Sequence, residues 1–191
     1  MTRDAVLDLF RQSGALLEGH FRLSSGLHST GYLQCALVLQ HPAHAERLGR
    51  AVAELVRSLS PTVVLSPALG GVIIGHEVAR ALGVRAIFSE RLEGIMTIRR
   101  GFSLEPSDRV LIVEDVVTTG KSTGETIEAA AAAGGRVVGA TSVVDRSSGT
   151  SNLGVPFHAL VSVAFPVYQP DACPECARGV PFIKPGSRPG A

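Results

Sequence analysis

Short apolar strands alternate regularly with helices along most of the chain. Segments rich in Val, Ile and Leu are separated by segments in which apolar residues recur at helical spacing. The strand segments are 62–66, 85–88, 109–113, 136–144 and 158–165, and the helical segments are 42–59, 72–82 and 122–133. Strands that are apolar on both faces and alternate with helices predict a mostly parallel sheet covered by helices on both faces. The chain is therefore predicted to be an α/β protein with one open sheet.

The two ends of the chain depart from this alternation. Residues 4–13 have helical spacing, and residues 19–39 mix Gly, Ser and His with apolar residues, which predicts short strands joined by turns. The residues after 167 are rich in Pro, Cys and Gly. We expect one domain over residues 1–191, in which residues 1–40 contribute a small N-terminal cap and residues 167–191 an irregular tail.

Charge and cysteine content limit the classes of partner. The 191 residues include 18 basic and 17 acidic ones, which are interspersed and give a net charge of +1. No overall field recruits nucleic acid or membrane, so a bound anion needs a local site. No signal peptide and no run of roughly 18 apolar residues is present, and three cysteines leave one unpaired. A cytoplasmic protein with reduced thiols is expected.

One loop carries the clearest chemical signal. The strand at 109–113 is followed by Glu114-Asp115-Val116-Val117-Thr118-Thr119-Gly120-Lys121-Ser122-Thr123. Ligands of open parallel sheets bind beyond the carboxyl ends of the strands. Gly120 permits a tight turn, and amides and hydroxyls at the start of the next helix suit a phosphate. Ser122 and Glu125 have the spacing of a capping box. The two carboxylates suit ribose hydroxyls, or a metal ion through water.

Two other phosphate motifs do not match this loop. A nucleoside triphosphate loop needs glycine five residues before Gly120, where the chain has Asp115, and no G-x-G-x-x-G is present. The acid-acid-apolar-apolar-Thr-Thr-Gly pattern instead resembles the signature of type I phosphoribosyltransferases, which bind 5-phosphoribosyl 1-diphosphate (PRPP). The resemblance implies their open, mostly parallel sheet with an N-terminal hood. It also implies that the whole loop, residues 114–123 with Val116, Val117 and Thr118 included, binds PRPP. Within it, Glu114 and Asp115 would orient the ribose and act in catalysis, and residues 119–123 would bind the 5′-phosphate.

Two further segments are interpreted through this resemblance. Ala68-Leu69-Gly70-Gly71 follows a strand and opens a helix, and by similarity its amides receive the pyrophosphate. Its glycines can also serve close packing of helix on sheet. Residues 89–103 have the length of a mobile lid. Its Arg91, Arg99 and Arg100 would neutralise pyrophosphate on closure, with Arg99 and Arg100 catalytic, unless the segment is only an exposed hairpin.

The acceptor base is indicated by Asp145-Arg146 at the end of a strand. A guanidinium binds a carboxylate through two parallel hydrogen bonds; orotate has a carboxylate and the common purines do not. An ordinary Asp-Arg ion pair is the alternative. With residues 19–26 (GHFRLSSG), residues 114–123 and Val144-Asp145-Arg146, the chain resembles orotate phosphoribosyltransferases almost end to end. The similarity implies that Thr118, Arg146, Ser25 and Gly26 bind orotate.

The sequence also departs from that family. Many bacterial members have lysine at the position of Ser24, and lysines and a histidine in the lid, whereas this chain has only Lys121 and Lys184. A shorter lid is implied, with Arg99 and Arg100 as its candidate cations. Cys173 and Cys176 form half of a zinc site by spacing, which histidines or a second subunit would have to complete. Cys35 is interpreted as a core thiol.

The predicted reaction is orotate plus PRPP giving orotidine 5′-phosphate and pyrophosphate, a step of de novo UMP synthesis. The resemblance implies Mg²⁺ held mainly through PRPP and water, and a homodimer that shares lids; no nucleic acid or membrane partner is expected. Two alternatives stay open. A purine or uracil phosphoribosyltransferase would need no carboxylate-binding arginine. A nucleotide-responsive regulator with this fold would need a basic face, which the balanced charge disfavours.

Overall fold

The computed structural model describes residues 1–185. The first half contains α1 (Arg3–Gln12), β1 (Leu16–Arg22), β2 (His28–Leu33), α2 (Cys35–Leu39), α3 (Pro42–Val56), β3 (Val63–Pro67), α4 (Gly70–Leu82), β4 (Arg85–Leu92) and β5 (Ile95–Ile98). The second half contains β6 (Arg109–Val117), α5 (Lys121–Ala132), β7 (Arg136–Asp145), β8 (Phe157–Ser162), β9 (Val167–Tyr168) and α6 (Pro174–Ala177). Single 3₁₀ turns cover Arg57–Leu59 and Pro170–Ala172.

The central sheet has six strands in the order β5-β4-β3-β6-β7-β8. All neighbours are parallel except β5, which returns antiparallel along β4 as the second strand of a hairpin. The predicted α/β class and the mostly parallel sheet are confirmed. Because Pro67 pairs with Ser89, the rest of β4 and all of β5 extend beyond the carboxyl end of β3.

Alternate residues of the central strands pack into two separate cores, because successive side chains of a strand point to opposite faces. Val64, Leu111 and Val113 contact the core that includes α1, α2, α3 and α4. Leu65 and Ile112 contact a smaller core on the other face, which includes Ala130 of α5. Both faces of the sheet are therefore covered, which leaves the strand ends as the place for a polar site.

Strand β6 is longer than its apolar run predicts. The sequence places its end at Val113, but the pairing with β7 continues to Val117, which lies opposite Asp145. Glu114 is thus part of the strand, opposite Ser142. A buried carboxylate is tolerated there because neighbouring hydroxyls donate hydrogen bonds to it, as described below.

The tail is more regular than its composition predicts. β9 pairs with β2 and completes a three-stranded sheet with β1, and a second contact joins Phe21 to Ile183. The 3₁₀ turn and α6 lie between these two attachments. The N-terminal hood is consequently built from both ends of the chain. Residues 186–191 of the tail lie outside the described part, and the extent of the single domain stays a prediction.

None of the helices described within residues 1–185 is both long enough and apolar enough to cross a membrane.

Candidate active site

The carboxyl ends of β3, β6 and β7 bring three predicted site segments to one edge of the sheet. These are residues 68–71 after β3, Glu114 and Asp115 within the last part of β6, and Arg146 directly after β7. Parallel neighbours in one sheet place these ends side by side. The hairpin of β4 and β5 rises beyond the same edge.

Glu114 is almost fully buried, with 5 % of its surface exposed. Its Oε1 accepts hydrogen bonds from the hydroxyls of Ser122, at 2.6 Å, and Thr123, at 3.4 Å. Burial raises the pKa of Glu114 to about 7, and these hydrogen bonds oppose the rise only in part. A carboxylate held this way is ready to accept a further hydrogen bond from a ligand hydroxyl.

Asp115 lies against the loop that follows β3. A Cβ atom added to Gly70 would stand 2.8 Å from Asp115 Oδ1, and one added to Gly71 would stand 2.8 Å from the carbonyl oxygen of Val113. Glycine is required at both positions for this close approach. Burial raises the pKa of Asp115 as well. The packing interpretation of these glycines is supported, and it coexists with the predicted anion role of the loop.

The loop before α5 differs in one respect from the prediction. Gly120 adopts a left-handed φ of 78° and forms the N-terminal cap of α5 without a side-chain hydrogen bond. The capping box of Ser122 and Glu125 is therefore wrong, because the Ser122 hydroxyl donates to Glu114 and the Glu125 carboxylate pairs with Arg91. The first amides of a helix lack partners inside the helix, so the start of α5 keeps donors for an anion.

The remaining residues of this loop lie between the strand and the helix. Val116 and Val117 still pair with β7, and Thr118 follows them directly. The amide of Lys121 donates to the Thr119 hydroxyl, at 3.3 Å, while the Lys121 ammonium is exposed and lies 4.0 Å from Glu125. Because an exposed ion pair of this kind is weak, Lys121 can exchange Glu125 for a ligand.

The loop after β3 presents backbone rather than side chains. The amide of Ala68 donates to the carbonyl of Ser89, at 2.7 Å, and the peptide bond between Ala68 and Leu69 is cis. Helix α4 begins at Gly70, without a side-chain cap. A second helix start therefore points its amides at the same edge as the start of α5.

Arg146 has a half-buried guanidinium with no carboxylate partner among residues 1–185. Its buried Nε has no hydrogen-bond acceptor there either. The guanidinium carbon lies 5.4 Å from the centre of the Phe165 ring, and burial lowers the pKa of Arg146. The alternative of an ion pair with Asp145 is not observed, because that carboxylate accepts from the amide of Ser147, at 2.7 Å.

The three hairpin arginines, of which Arg91 lies on β4 while Arg99 and Arg100 directly follow β5, are all paired. Arg91 pairs with Glu125 of α5. Arg99 and Arg100 both contact Glu90, at 3.7 and 2.9 Å. The segment expected to be a lid is a hairpin in this structure, and its movement stays a prediction. A cleft of about 370 Å³ lies between β5 and α5, but none of the predicted site residues lines it.

The hood turn at Ser25 and Gly26 connects β1 to β2. Gly26 has a left-handed φ of 85°, and its amide donates to the Leu23 carbonyl, at 2.9 Å. None of the hydrogen bonds or ion pairs of residues 1–185 joins Ser25 or Gly26 to the sheet edge, so their role stays a prediction. The hood residues that do lie near Arg146 are Tyr32 and Cys35.

Sequence reasoning missed Tyr32 and Phe165 as neighbours of Arg146. Phe165 also fills the space above Gly31, where an added Cβ would meet its ring at 2.2 Å. These contacts join the hood to the strand ends over more than a hundred residues of chain. The one local signal is Gly31 itself, because a glycine inside a strand indicates close approach of another group.

The carboxylates fit a magnesium ion that is held through a substrate. Mg²⁺ keeps several waters and takes one or two carboxylates together with substrate phosphates. The Glu114 oxygen that meets Ser122 and Thr123 is already committed, and Asp115 Oδ1 accepts from the amide of Val116, at 2.8 Å. Their remaining oxygens suit bound water or ribose hydroxyls, not an ion enclosed by protein alone.

Comparison with known proteins identifies the family. Residues 36–153 match the model of the phosphoribosyl transferase domain. Orotate phosphoribosyltransferases of Heliobacterium modesticaldum and Erythrobacter litoralis are 55 % and 56 % identical to this chain; each alignment covers 98 % of the chain and 100 % and 99 % of the relatives. The sequence similarity therefore includes the N-terminal hood and the C-terminal tail.

Solved structures agree with this result. Orotate phosphoribosyltransferase of Mycobacterium tuberculosis in complex with inorganic phosphate superposes with a TM-score of 0.69 and 26 % identity, over 84 % of this chain and 95 % of that one. The same enzyme in complex with PRPP gives a TM-score of 0.67. Adenine phosphoribosyltransferase of Thermoanaerobacter pseudethanolicus, at 16 % identity and a TM-score of 0.61, shares the fold. The chain belongs to the orotate phosphoribosyltransferase family.

Proposed function

We propose that this chain transfers the phosphoribosyl group of PRPP to orotate, giving orotidine 5′-phosphate and pyrophosphate in pyrimidine nucleotide synthesis. The observation that carries the choice of base is Arg146, a half-buried guanidinium with no carboxylate partner in residues 1–185. Orotate brings the missing carboxylate, whereas uracil and the common purines bring none. The name of the relatives supports the same base.

PRPP lies along the sheet edge in this proposal. Glu114 and Asp115 accept hydrogen bonds from the ribose hydroxyls, since both carboxylates are buried beside the anion loops. The 5′-phosphate binds at residues 119–123, where the start of α5 supplies amides. The pyrophosphate binds at residues 68–71, where the start of α4 does the same. Two separate helix starts suit a substrate with phosphate groups at both ends.

The reaction needs no covalent nucleophile. The bond from C1 of the ribose to pyrophosphate breaks with its electron pair leaving on the pyrophosphate oxygen, and the sugar gains oxocarbenium character. A ring nitrogen of orotate then forms the new bond to C1 and gives up its proton, which the departing pyrophosphate accepts. Arg146 and Thr118 hold the base in line. Buried Glu114 and Asp115 face the positive charge that develops on the sugar. Magnesium, bound through PRPP and water, would neutralise the leaving pyrophosphate.

The arginines of the hairpin complete the site when it closes. Arg99 and Arg100 exchange Glu90 for pyrophosphate oxygens, and Arg91 exchanges Glu125. Exposed ion pairs of this kind contribute only about 0–1 kcal/mol, so exchanging one partner for another costs little free energy.

Ser25 and Gly26 of the hood contact orotate from the other side. A homodimer in which a hairpin serves the neighbouring site belongs to the proposal. So does a cytoplasmic location, which suits a chain with no disulfide among residues 1–185.

Steady-state turnover with orotate, uracil and hypoxanthine, each with and without Mg²⁺, tests the proposal. We expect pyrophosphate release with orotate only, and only with the metal present. Turnover of uracil or hypoxanthine at comparable kcat/KM would overturn the assignment of the base. Turnover of no base, with PRPP still bound, would favour a nucleotide-responsive regulator.

A further inference from the structure

Four metal-binding side chains from opposite ends of the chain meet where the tail docks on the hood. His20 lies on β1 and His28 on β2, while Cys173 directly precedes the short helix α6 and Cys176 lies within it. Their ligand atoms all lie within 4.8 Å of one another. None of the four residues is assigned to PRPP or orotate. We call this group the His2Cys2 cluster.

The distances in the cluster match tetrahedral coordination. The sulfur of Cys173 lies 3.4 Å from His20 Nε2, and that of Cys176 lies 3.8 Å from the same atom and 3.2 Å from His28 Nδ1. An ion at about 2.0–2.1 Å from nitrogen and about 2.3 Å from sulfur separates nitrogen from sulfur by roughly 3.5 Å. His20 Nε2 and His28 Nδ1 are 2.8 Å apart, and zinc binding would increase this distance by roughly half an ångström.

The tautomer of His20 leaves the correct nitrogen available. His20 Nδ1 lies 2.8 Å from the carbonyl oxygen of Val180, which can only accept a hydrogen bond. The proton of neutral His20 is therefore on Nδ1, and the lone pair of Nε2 points at His28 and at both sulfurs. A backbone carbonyl that orients a metal-binding histidine is the usual outer partner of such a site.

The surroundings favour an ion rather than a solvated polar cluster. His20, His28 and Cys173 are each at most 4 % exposed, and only Cys176 lies toward solvent. The Phe182 ring packs against both imidazoles, with ring centres 5.9 and 5.1 Å apart. Two imidazoles and two thiols, without any carboxylate, form a donor set that suits zinc and not magnesium or calcium.

We propose that His20, His28, Cys173 and Cys176 bind one structural zinc ion that fastens the C-terminal tail to the N-terminal hood. Four protein ligands close the coordination sphere, so the ion takes no part in phosphoribosyl transfer. The zinc joins segments about 145 residues apart, at a junction otherwise held by backbone bonds such as Ile183 to His20, at 2.8 Å, and Arg22 to Ile183, at 2.9 Å.

Elemental analysis of the full chain tests the site directly. The protein is purified under reducing conditions without a polyhistidine tag, and we expect about one zinc per chain. The zinc content per chain should be at least about tenfold lower in the double variant Cys173→Ser/Cys176→Ser and in the single variant His28→Asn. Matched controls are Cys35→Ala, a thiol in the core, and His76→Asn, an exposed histidine on α4; both should keep the metal.

Cobalt provides a second readout that does not depend on how the variants fold. Wild-type protein loaded with Co²⁺ in place of zinc should show the intense visible bands of tetrahedral cobalt bound to thiolates. Added Zn²⁺ should remove these bands and raise the thermal midpoint of the metal-free protein.

Three results would overturn the site. One is reduced, folded wild type that holds no zinc and whose thermal midpoint does not respond to added Zn²⁺. The second is equal zinc in the wild type and in the double cysteine variant. The third is a Cys173–Cys176 disulfide in freshly purified protein. Metal content is independent of turnover, so failure of this proposal is separable from failure of the proposed reaction.

Discussion

The arginines at the sheet edge fall into two groups that differ in how their charge is satisfied. Arg146 is half-buried beside Phe165 and has no carboxylate partner within residues 1–185. The hairpin arginines are more exposed, and each contacts a glutamate. Glu114, like Arg146, is a buried ionisable group. Burial raises its pKa, and only hydrogen bonds from hydroxyls offset the free-energy cost of burying its charge.

This difference indicates where ligand binding has most to gain. A buried charge without a partner costs free energy in the ligand-free protein, and a complementary ligand recovers that cost. An exposed pair loses one partner as it gains another, so the net change is small. We therefore expect substitutions at the strand ends to lower kcat/KM strongly and substitutions in the hairpin to lower it only slightly.

The largest expected effect is on PRPP use when both strand-end acids are neutralised. Glu114→Gln with Asp115→Asn keeps shape and removes two charged acceptors. If each charge-assisted bond contributes about 1.5–3 kcal/mol, kcat/KM for PRPP falls roughly 10²- to 10⁴-fold. Glu128→Gln, an exposed carboxylate of α5, is the matched control. Unchanged kinetics in the double variant would contradict the assignment of Glu114 and Asp115 to the ribose. The strand ends would then contribute no more to PRPP use than the hairpin does.

The second effect is on stability and isolates Glu114 without substrate. Its pKa of about 7 in the folded protein is above its ordinary value of 4.5, so folding favours the protonated form. The stabilisation of the folded protein by protonated Glu114 is therefore complete below about pH 4.5 and is lost as the pH rises through about 7. Relative to Glu114→Gln, the wild type should lose roughly 2 kcal/mol of unfolding free energy between about pH 5 and pH 8. Urea unfolding at each pH measures this, and parallel curves for the two proteins would contradict it.

The smallest effect is expected at the hairpin. Arg99→Ala with Arg100→Ala should lower kcat/KM for PRPP roughly tenfold and change the free energy of unfolding by less than about 1 kcal/mol. Arg57→Ala, which removes another exposed arginine paired to a glutamate, should change neither by a measurable amount. A large loss of stability with normal kinetics would make Arg99 and Arg100 part of the scaffold. A loss as large as that of the acids would remove the contrast between the two regions.

The parts predictable from sequence are those whose chemistry is contiguous. Residues 114–123 combine an apolar strand, two acids and a glycine turn in ten positions, so periodicity and turn chemistry indicate an anion site. The end of β6 was not predictable, because Val116 and Val117 continue the strand only through pairing with β7. The capping box was wrong because the buried Glu114 competes for the Ser122 hydroxyl.

Features that join distant segments were beyond sequence reasoning. That Arg146 lacks a carboxylate partner depends on Asp145 accepting from the Ser147 amide instead. Cys173 and Cys176 indicate half of a metal site, but His20 and His28 reach it only because β9 pairs with β2 and the tail folds back on the hood. Such pairing over about 145 residues leaves no pattern in a single sequence.

The assignment of Arg146 to orotate is tested directly by comparing PRPP affinity with orotate kinetics in Arg146→Lys. Lysine keeps the charge and loses the planar fork that matches a carboxylate. We expect PRPP affinity by calorimetry to equal that of the wild type, and kcat/KM for orotate to fall roughly ten- to hundredfold. Arg146→Ala should lose more, and Arg136→Lys, an exposed arginine at the other end of β7, should lose nothing. Collapse of PRPP binding, with normal orotate kinetics at saturating PRPP, would contradict the assignment of Arg146 to orotate.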